Sequence, residues 1–394
     1  MSLILKQDIM REYLKKCVRC GQCRYVCPVL AAAGKESASP RGKVYLTGLL
    51  QRGEFKPGPQ ADKILSLCLT CGACAAECPS GLPVDTIIKA ARGISAASSP
   101  LKPYRIIYRG IFSAFHALNR VPGLLPLMRH IMSREYGLKM GNPARSGIAA
   151  VSRPKNGKPG LRVGYFLGCA TNYFLPDVAK SVVAVLQHLG CEVVTPPMTV
   201  CCGLPLATAG EAAAASKLME NNLRVFRSHN LDAIVTDCSS CSHHLTEQGF
   251  SSNSQPVYEF SEFLLNVLDP EKPKFELDGE SVACHVPCHY RFGRKLGDQF
   301  RQIFQIIPGL KVAAIPGGSS CCGGGGTFSI NHKKLSTEIL SRYVINIKSS
   351  GAQNLATVCP SCVIQLGRGL NSQGVHLVHP AQILYRAYGL TGRQ

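Results

Sequence analysis

Apolar residues recur along this 394-residue chain with two different periods. Near the amino terminus they return every three or four positions after Pro40 and again from Val84, and both patterns predict amphipathic helices. From residue 161 onward, short apolar runs alternate with helical patterns instead. The runs predicted to be strands are RVGYFL, EVVTP, DAIVTD, KVAAIP and NLATV. The pattern therefore predicts a helical amino-terminal region followed by α/β units with parallel strands.

Two cysteine-rich loops interrupt the predicted amino-terminal helices. Both follow the spacing C-x2-C-x2-C-x3-C-P, in which three cysteines bind one 4Fe-4S cluster and the fourth binds the other cluster. Soft thiolates at this spacing suit iron-sulfur clusters, and two intact copies disfavour zinc sites or disulfides. The predicted ligands are Cys17, Cys20, Cys23 and Cys78 for the first cluster, and Cys68, Cys71, Cys74 and Cys27 for the second.

The distance between the two loops indicates the type of ferredoxin domain. Forty residues separate Cys27 from Cys68, which is longer than we expect of a compact ferredoxin built on β-hairpins. We therefore predict a mainly helical two-cluster ferredoxin domain over residues 1–97.

The positive charge of the chain is concentrated in the segment that follows. The formal net charge is +20, and residues 98–160 contain eleven basic residues and one acidic residue, Glu135. This segment is a predicted basic connector. It could dock on an anionic membrane surface or an acidic partner, or it could be an ordinary helical connector with solvated arginines. Pro122 and Pro126 exclude one long membrane-surface helix.

The remainder of the chain is an internal repeat. Five cysteines of residues 161–275 recur in residues 276–394 at offsets of 119 to 121 residues, which predicts two related domains. The first set is Cys169, Cys201, Cys202, Cys238 and Cys241, and the second is Cys288, Cys321, Cys322, Cys359 and Cys362. Cys284 competes with Cys288 as a ligand, although the repeat offset favours Cys288. We therefore predict an α+β multidomain protein whose two α/β cysteine-rich domains are related by a pseudo-twofold axis.

The order of these motifs resembles one protein family over nearly the whole chain. Two ferredoxin-type motifs followed by a duplicated C…CCG…CxxC pattern are similar to the cysteine-rich (CCG) domain family. That family includes the iron-sulfur subunit of glycolate oxidase, lactate-utilisation subunits and the catalytic iron-sulfur subunit of heterodisulfide reductase. The resemblance is strongest to the glycolate and lactate branch in CLTCGACAAECPSGLPVD. It implies an electron-transfer subunit of a flavin-dependent 2-hydroxyacid dehydrogenase or oxidase complex, which passes electrons to a quinone or another carrier.

The resemblance also implies a role for the duplicated cysteines. In heterodisulfide reductase, a complete five-cysteine set holds a noncubane 4Fe-4S cluster that cleaves a disulfide. Both sets are complete in this chain, whereas the glycolate oxidase branch often has incomplete sets. One or two noncubane clusters could therefore accompany the two ferredoxin clusters, and disulfide reduction stays open as the alternative function. A zinc site or a structural thiol cluster is the other alternative for these cysteines.

The sequence points to partners because it shows no hydride chemistry of its own. There is no GxGxxG after an early strand, and no carboxylate pair or Ser/His/Asp arrangement stands out, so catalytic residues stay unassigned. We expect FAD on a partner subunit of the FAD-linked oxidase type and not on this chain, with a membrane cytochrome or the quinone pool as a further partner. We expect no nucleic-acid partner.

The cysteine content bears on the cellular location. Twenty cysteines with no signal-peptide pattern predict a cytoplasmic protein that uses thiols for metal or redox chemistry. The basic connector leaves open a peripheral position on the inner face of the membrane.

Overall fold

The computed structural model describes residues 7–97, 110, 123–136, 139–154, 160–250, 255–370 and 374–390. The chain forms two compact units. The first consists of Met1–Ser113, Gly203–Lys217 and Cys321–Tyr343, and the second of Ala114–Cys202, Leu218–Ser320 and Val344–Gln394. Two segments from the cysteine-rich repeat thus belong to the same unit as the ferredoxin-type loops.

The described residues contain helices and strands in alternation over most of the chain. The helices are α1 (Gln7–Lys15), α2 (Pro28–Ala33), α3 (Pro40–Arg52), α4 (Pro59–Ser66), α5 (Ala73–Ala76), α6 (Val84–Ala97), α7 (Leu124–Tyr136), α8 (Cys169–Phe174), α9 (Pro176–His188), α10 (Leu204–Thr208), α11 (Ala212–Arg227), α12 (Ser239–Glu247), α13 (Phe260–Phe263), α14 (Gln302–Gln305), α15 (Phe328–Asn331), α16 (Lys333–Ser349), α17 (Pro360–Leu370) and α18 (Pro380–Ala387). The strands are β1 (Val151–Ser152), β2 (Arg162–Tyr165), β3 (Glu192–Val194), β4 (Ala233–Thr236), β5 (Val257–Glu259), β6 (Ser281–His285), β7 (Lys311–Ala313), β8 (Asn354–Thr357) and β9 (His376–Val378). Short 3-10 or π turns occur at Gln22–Arg24, Glu36–Ala38, Ala144–Gly147, Leu264–Leu268, His289–Gly293 and Gln299–Arg301.

Helix α3 shows why the first unit is helical. Ser39 caps its start, because the hydroxyl accepts a hydrogen bond from the amide of Gly42 at 3.0 Å, and Pro40 occupies the first turn. Gly53 ends the helix in the left-handed conformation, with φ of 75°. The apolar faces of α3, α4 and α6 pack together into one buried cluster. The cluster comprises Val44, Leu46, Leu50, Ala61, Leu65, Cys74, Leu82, Val84, Ile87, Ile88 and Ala91.

The second unit contains two parallel sheets with matching topology. The first has the order β1-β3-β2-β4-β5, and the second has the order β7-β6-β8-β9. Apart from β1, which pairs antiparallel to β3 at one edge, both sheets are parallel throughout. The strand order of the repeat is therefore the same in both halves, as the constant cysteine offset leads one to expect.

One apolar core joins the two halves of the second unit. Val163 and Val235 of the first sheet belong to the same buried cluster as Val282 and Ala356 of the second. Helices α9 and α18 cover this core with further fully buried aliphatic residues. Each such side chain contributes about 1.5–3 kcal/mol relative to exposure, so the core fixes the strand ends at which the cysteines lie.

The structure contains four strands beyond the five that the sequence predicts: β1, β5, β6 and β9. They have two to five residues each, and the apolar pattern did not separate them from the neighbouring loops and helices. The predicted helices after Pro40 and from Val84 are present as α3 and α6.

Part of the predicted basic connector lies outside the described residues. These are positions 98–109, 111–122, 137–138 and 155–159, which include Arg105, Arg109 and Arg120. Of the part that is described, α7 carries Arg129, whose guanidinium donates to the carbonyl of Gly141 at 3.0 Å. Within the described ranges, every helix is too short or too polar to cross a lipid bilayer.

Candidate metal centres

The two ferredoxin-type loops follow the same backbone course. Arg19 and Thr70 occupy matching positions and both have positive φ, 56° and 51°. Gly21 and Gly72 follow with φ of 88° and 79°. Left-handed backbone is strained for arginine and threonine, so its recurrence at the same place indicates a conformation that the loop requires.

Four cysteines of the first unit line one cavity, which we call the inner site. They are Cys27, Cys68, Cys71 and Cys74. Cys27 comes from the first loop and the other three from the second, and these are the four residues that the spacing predicts for one cluster. A group of four soft thiols on one wall suits a 4Fe-4S cubane, so the donor set fits the cluster.

Among the thiols of the inner site, Cys74 is buried and the other three are half-buried, and two of the four accept hydrogen bonds. Burial raises the pKa of the Cys71 thiol to about 12, and it also raises the pKa of Cys27. Thiolates at these positions therefore need positive partners, which cluster irons would supply. Backbone amides contribute as well, since Leu30 N donates to Cys27 Sγ and Thr70 N donates to Cys68 Sγ, both at 3.4 Å. Such bonds favour the charged thiolate.

Two cations next to the inner site are not apparent from the cysteine motif. Lys43 is 2% exposed and lines the same cavity as the four cysteines. Arg92 donates to the backbone carbonyls of Leu65 and Cys68, at 2.8 and 2.6 Å, and so fixes the start of the second loop. A signal for Lys43 does exist in the sequence. It lies on the apolar stripe of α3, three and seven residues before the buried Leu46 and Leu50.

The other predicted ligand group, the outer site, is closer to solvent. Cys20 is exposed, and Cys17, Cys23 and Cys78 are partly buried against the core of α3, α4 and α6. The loop around them also exposes large apolar side chains, since Val18 is 71% exposed and Tyr25 is 87% exposed. The outer site therefore combines ligand thiols with an open face.

The second CCG pair belongs to the same unit as these loops. Cys321 packs in an apolar cluster with Cys27 and Cys71, and its sulfur accepts a hydrogen bond from Gly323 N at 3.4 Å. Gly323 has φ of 79°, and a Cβ atom there would come within 2.7 Å of the carbonyl oxygen of Ser336. The glycine after the pair is therefore required by both conformation and space.

The first five-cysteine set lies wholly in the second unit, and its sulfur atoms form a chain of contacts. Cys169 Sγ lies 3.6 Å from Cys201 Sγ. The Cys202 thiol hydrogen-bonds those of Cys201 and Cys241, and Cys241 also hydrogen-bonds Cys238. Donation to Cys201 raises the pKa of Cys202 to about 12. The structure thus brings together all five residues of the set, and these clustered thiols fit an iron-sulfur or zinc site.

A buried polar network supports this set from behind. Asp237, directly before Cys238, accepts hydrogen bonds from the hydroxyl of Tyr165, at 2.9 Å, and from that of Thr171. Burial raises the pKa of Asp237 to about 6. His379 Nδ1 accepts from the amide of Ala381, so Nε2 carries the proton and donates to the Asp237 carbonyl at 3.1 Å. The network holds the strand end before Cys238.

The second five-cysteine set is divided between the two units. Cys288, Cys359 and Cys362 belong to the second unit, whereas Cys321 and Cys322 belong to the first. Hydrogen bonds from Cys238 and Cys362 hold the pKa of Cys359 well below its usual value. The first and second sets therefore meet at Cys238 and Cys359.

Polar side chains lie next to the contact between Cys238 and Cys359. Ser240 Oγ lies 3.4 Å from Cys359 Sγ and 2.9 Å from His289 Nδ1. The His289 ring stacks on that of His243 with 4.9 Å between centroids. Ser240 therefore links a histidine to a ligand candidate, a contact that no spacing rule in the sequence predicts.

The structure also distinguishes the two cysteines that compete for the second set. Cys284 lies on β6, and burial raises the pKa of its thiol to about 12. It packs against the apolar core of the second unit. Cys288 comes after the end of β6, as Cys169 comes after the end of β2. These positions favour Cys288 as the ligand, and Cys191 is a fully buried thiol outside both sets.

Two family models match three stretches of the chain. A model of the cysteine-rich domain matches residues 163–246 and 282–367, and a model of the 4Fe-4S dicluster domain matches residues 13–82. The two cysteine-rich matches correspond to the two parallel sheets, and the dicluster match covers the inner and outer sites. The chain therefore carries an amino-terminal 4Fe-4S domain and two CCG domains.

Three relatives illustrate the similarity. The chain is 28% identical to a probable glycolate oxidase iron-sulfur subunit of Bacillus subtilis, over 98% of this chain and 96% of that protein. It is 28% identical to one of the subunits of a fumarate reductase (CoM/CoB) of Methanothermobacter marburgensis, over 94% of this chain and 71% of that one. It is 29% identical to lactate utilization protein A of Lysinibacillus sphaericus, over 54% of this chain and 97% of that protein.

Proposed function

We propose that this chain, which belongs to the cysteine-rich (CCG) domain family of iron-sulfur proteins, is the electron-transfer subunit of a complex that oxidises glycolate or lactate. Its partner would be an FAD-linked oxidase subunit, and electrons would leave to a quinone, a membrane cytochrome or another carrier. The Bacillus subtilis relative, matched over nearly its full length, is named as an iron-sulfur subunit of this kind. Such a subunit requires several redox sites on one chain.

One observation carries the proposal. The inner site places Cys27 of the first loop in the same cavity as Cys68, Cys71 and Cys74 of the second, and Cys321 of the CCG repeat packs in the same unit against Cys27 and Cys71. Candidate ligands of ferredoxin type and of CCG type thus lie side by side within one compact unit. This is the arrangement that an electron relay needs.

The residues have separate tasks in this proposal. When bound, 4Fe-4S clusters accept and release one electron at a time. The thiols of the outer site, Cys17, Cys20, Cys23 and Cys78, hold a cluster near the surface, where a partner can approach. The thiols of the inner site hold a second cluster away from water. Backbone amides of Leu30 and Thr70 donate hydrogen bonds to the sulfur atoms of Cys27 and Cys68, which would orient these two ligands.

The test is reduction of the loaded protein by substrate through its partner. The chain is purified anaerobically with an FAD-linked oxidase subunit, and glycolate or lactate is added while the reduced-cluster EPR signal is followed. We expect the signal only when hydroxyacid and flavoprotein are both present. No reduction by either hydroxyacid, in a protein that dithionite reduces normally, would contradict the proposal.

The iron content per chain would show how many of the candidate sites carry a cluster. About eight irons per chain would mean that only the two ferredoxin-type sites carry 4Fe-4S clusters, and about sixteen would mean that both five-cysteine sets do as well. Zinc in place of iron at the five-cysteine sets would remove them from the electron path.

A second candidate function is favoured by the contact between the two sets. Cys238 hydrogen-bonds Cys359, its counterpart 121 residues later in the repeat. A residue that contacts its own repeat equivalent supports a pseudo-twofold axis between the two CCG domains. Five cysteines in each repeat would suit noncubane clusters, and the chain would then reduce a disulfide as heterodisulfide reductase does.

The two functions can be distinguished with a small disulfide as the probe. Reduced viologen supplies electrons, and thiol release is measured with the loaded protein and with its Cys322→Ser variant. Turnover that the variant loses favours the disulfide reductase. If a hydroxyacid reduces the protein but no thiol is released from the disulfide, the electron-transfer function is favoured.

A further inference from the structure

We propose that Lys43 is the buried counter-charge of the inner site, and that its ammonium group raises the reduction potential of the cluster held there above that of the outer cluster. This inference rests on the proposed occupation of the inner site by a 4Fe-4S cluster. It assigns to Lys43 a role that the cysteine motif does not contain.

The position of Lys43 is the first argument. Its side chain is 2% exposed, lines the cavity of the four inner cysteines, and comes from the apolar stripe of α3. A lysine is almost never buried to this degree without a partner, because an isolated ammonium group loses its hydration. Two backbone carbonyls, of Ala38 and Ser39, accept hydrogen bonds from Nζ. Neutral carbonyls accept from the donors of the ammonium group but do not neutralise its charge.

The charges around the ammonium group are the second argument. The thiols of Cys27, Cys68, Cys71 and Cys74 line the same cavity as the Lys43 side chain. The other titratable side chain on the cavity wall is that of Asp85, which forms an ion pair with Lys89 at 3.6 Å. The anionic partner available to Lys43 is therefore the thiolate set, with the cluster that these cysteines would hold.

A physical consequence follows for electron affinity. Reduction adds one negative charge to a cluster, and a nearby positive charge stabilises the reduced form more than the oxidised form. The interaction is strong where water is excluded and weak where solvent screens it. Lys43 is buried, whereas Arg41, one of the cations near the outer site, is about one third exposed and is paired with Glu36 at 2.6 Å. The charge of Lys43 should therefore shift the inner potential more than the charge of Arg41 shifts the outer one.

This difference gives the relay a direction. A cluster at the exposed outer site exchanges electrons with a partner, and a higher potential at the inner site draws the electron inward, towards the unit's CCG cysteines. Lys43 acts through the cluster and does not contact substrate, so it is a positioning and tuning residue.

The test is a redox titration of both clusters, followed by EPR, in charge-neutral and charge-preserving variants. Lys43→Met and Lys43→Gln remove the charge, the latter with a hydrogen-bond donor retained, and Lys43→Arg keeps the charge. Lys63→Met is the matched control, since Lys63 is an exposed lysine of the same unit. A Cys20→Ala background, which removes a ligand of the outer site, assigns the remaining signal to the inner cluster.

We expect a shift of the inner midpoint potential to more negative values in both neutral variants, with the outer potential unchanged. Lys43→Arg and Lys63→Met should titrate as the unmodified protein does. If both neutral variants lose the inner cluster while Lys43→Arg retains it, the requirement for a positive charge is supported directly.

Two results would overturn the inference. One is an inner potential that stays unchanged in a neutral variant with both clusters bound. The other is loss of the inner cluster from Lys43→Arg as well as from the neutral variants, which would mean that lysine is needed for its shape alone. Absence of an inner cluster from the unmodified protein would instead contradict the cluster assignment itself, so the two failures are distinguishable.

Discussion

The outer and inner sites share a sequence motif and a backbone course but differ in their surroundings. Both loops have left-handed residues at matching positions, Arg19 with Gly21 and Thr70 with Gly72. The outer loop exposes Cys20, while in the inner loop burial raises the pKa of Cys71 to about 12. The comparison shows that the spacing sets the geometry of the ligands, whereas neighbouring segments set the access of solvent and charge. Under the proposed function, the same motif would serve as a contact point in one loop and as an internal relay in the other.

The largest expected effect is on stability when a ligand is removed from either site. Cys71→Ala and Cys20→Ala should each lose about four irons per chain. Cys71→Ala should destabilise the unit by about 2 kcal/mol more, because it also removes buried packing and leaves the Lys43 charge without its anionic partner. For a unit of about 150 residues this corresponds to roughly 4–8 °C in Tm, measured by calorimetry.

Cys191→Ala is the matched control for this measurement, since Cys191 is fully buried but belongs to neither site. It should lower Tm modestly and leave the iron content unchanged. Equal losses of Tm in the Cys71 and Cys20 variants would remove the distinction between an inner and an outer site.

An intermediate effect is expected on the rate of cluster loss. With an iron chelator and a mild oxidant, absorbance should decay in two phases, and the outer cluster should be lost at least about tenfold faster. A tenfold difference in the rate of cluster loss corresponds to about 1.4 kcal/mol. This is the additional free energy needed to open the inner site, where α3 and α6 must separate before the chelator can enter. The Cys20→Ala variant should show the slow phase alone. A single rate for both clusters would contradict the difference in burial.

The smallest effect is expected on the outer potential when its cation is neutralised. Arg41→Gln should shift the outer cluster only slightly, because solvent screens this exposed charge and Glu36 already pairs with it. Raising the salt concentration should reduce the shift further. A shift as large as that of Lys43→Met would show that exposure does not govern these potentials.

A good part of the architecture could be predicted from the sequence. The five predicted strands, the helices after Pro40 and from Val84, and the two-domain repeat are all present, because apolar periodicity and cysteine offset are local signals. The strands β5 and β9 were not predicted, because each is followed by a helix after at most one residue, so no loop marks its end. Ser240 could not be predicted because it matters through Cys359, a residue distant in sequence, whereas Lys43 left a signal in its position on the apolar stripe of α3.

The sequence by itself determined the spacing of the cysteines and the duplication of the cysteine sets, and it indicated the family. Those properties are encoded within short segments, because a cluster loop needs particular thiols at particular intervals. The tertiary structure alone decided which ferredoxin-type site is buried, that Cys238 meets Cys359, and that Lys43 lies against the inner thiols. Burial and charge proximity arise from the packing of segments far apart in the chain, and these are the quantities that tune a redox site.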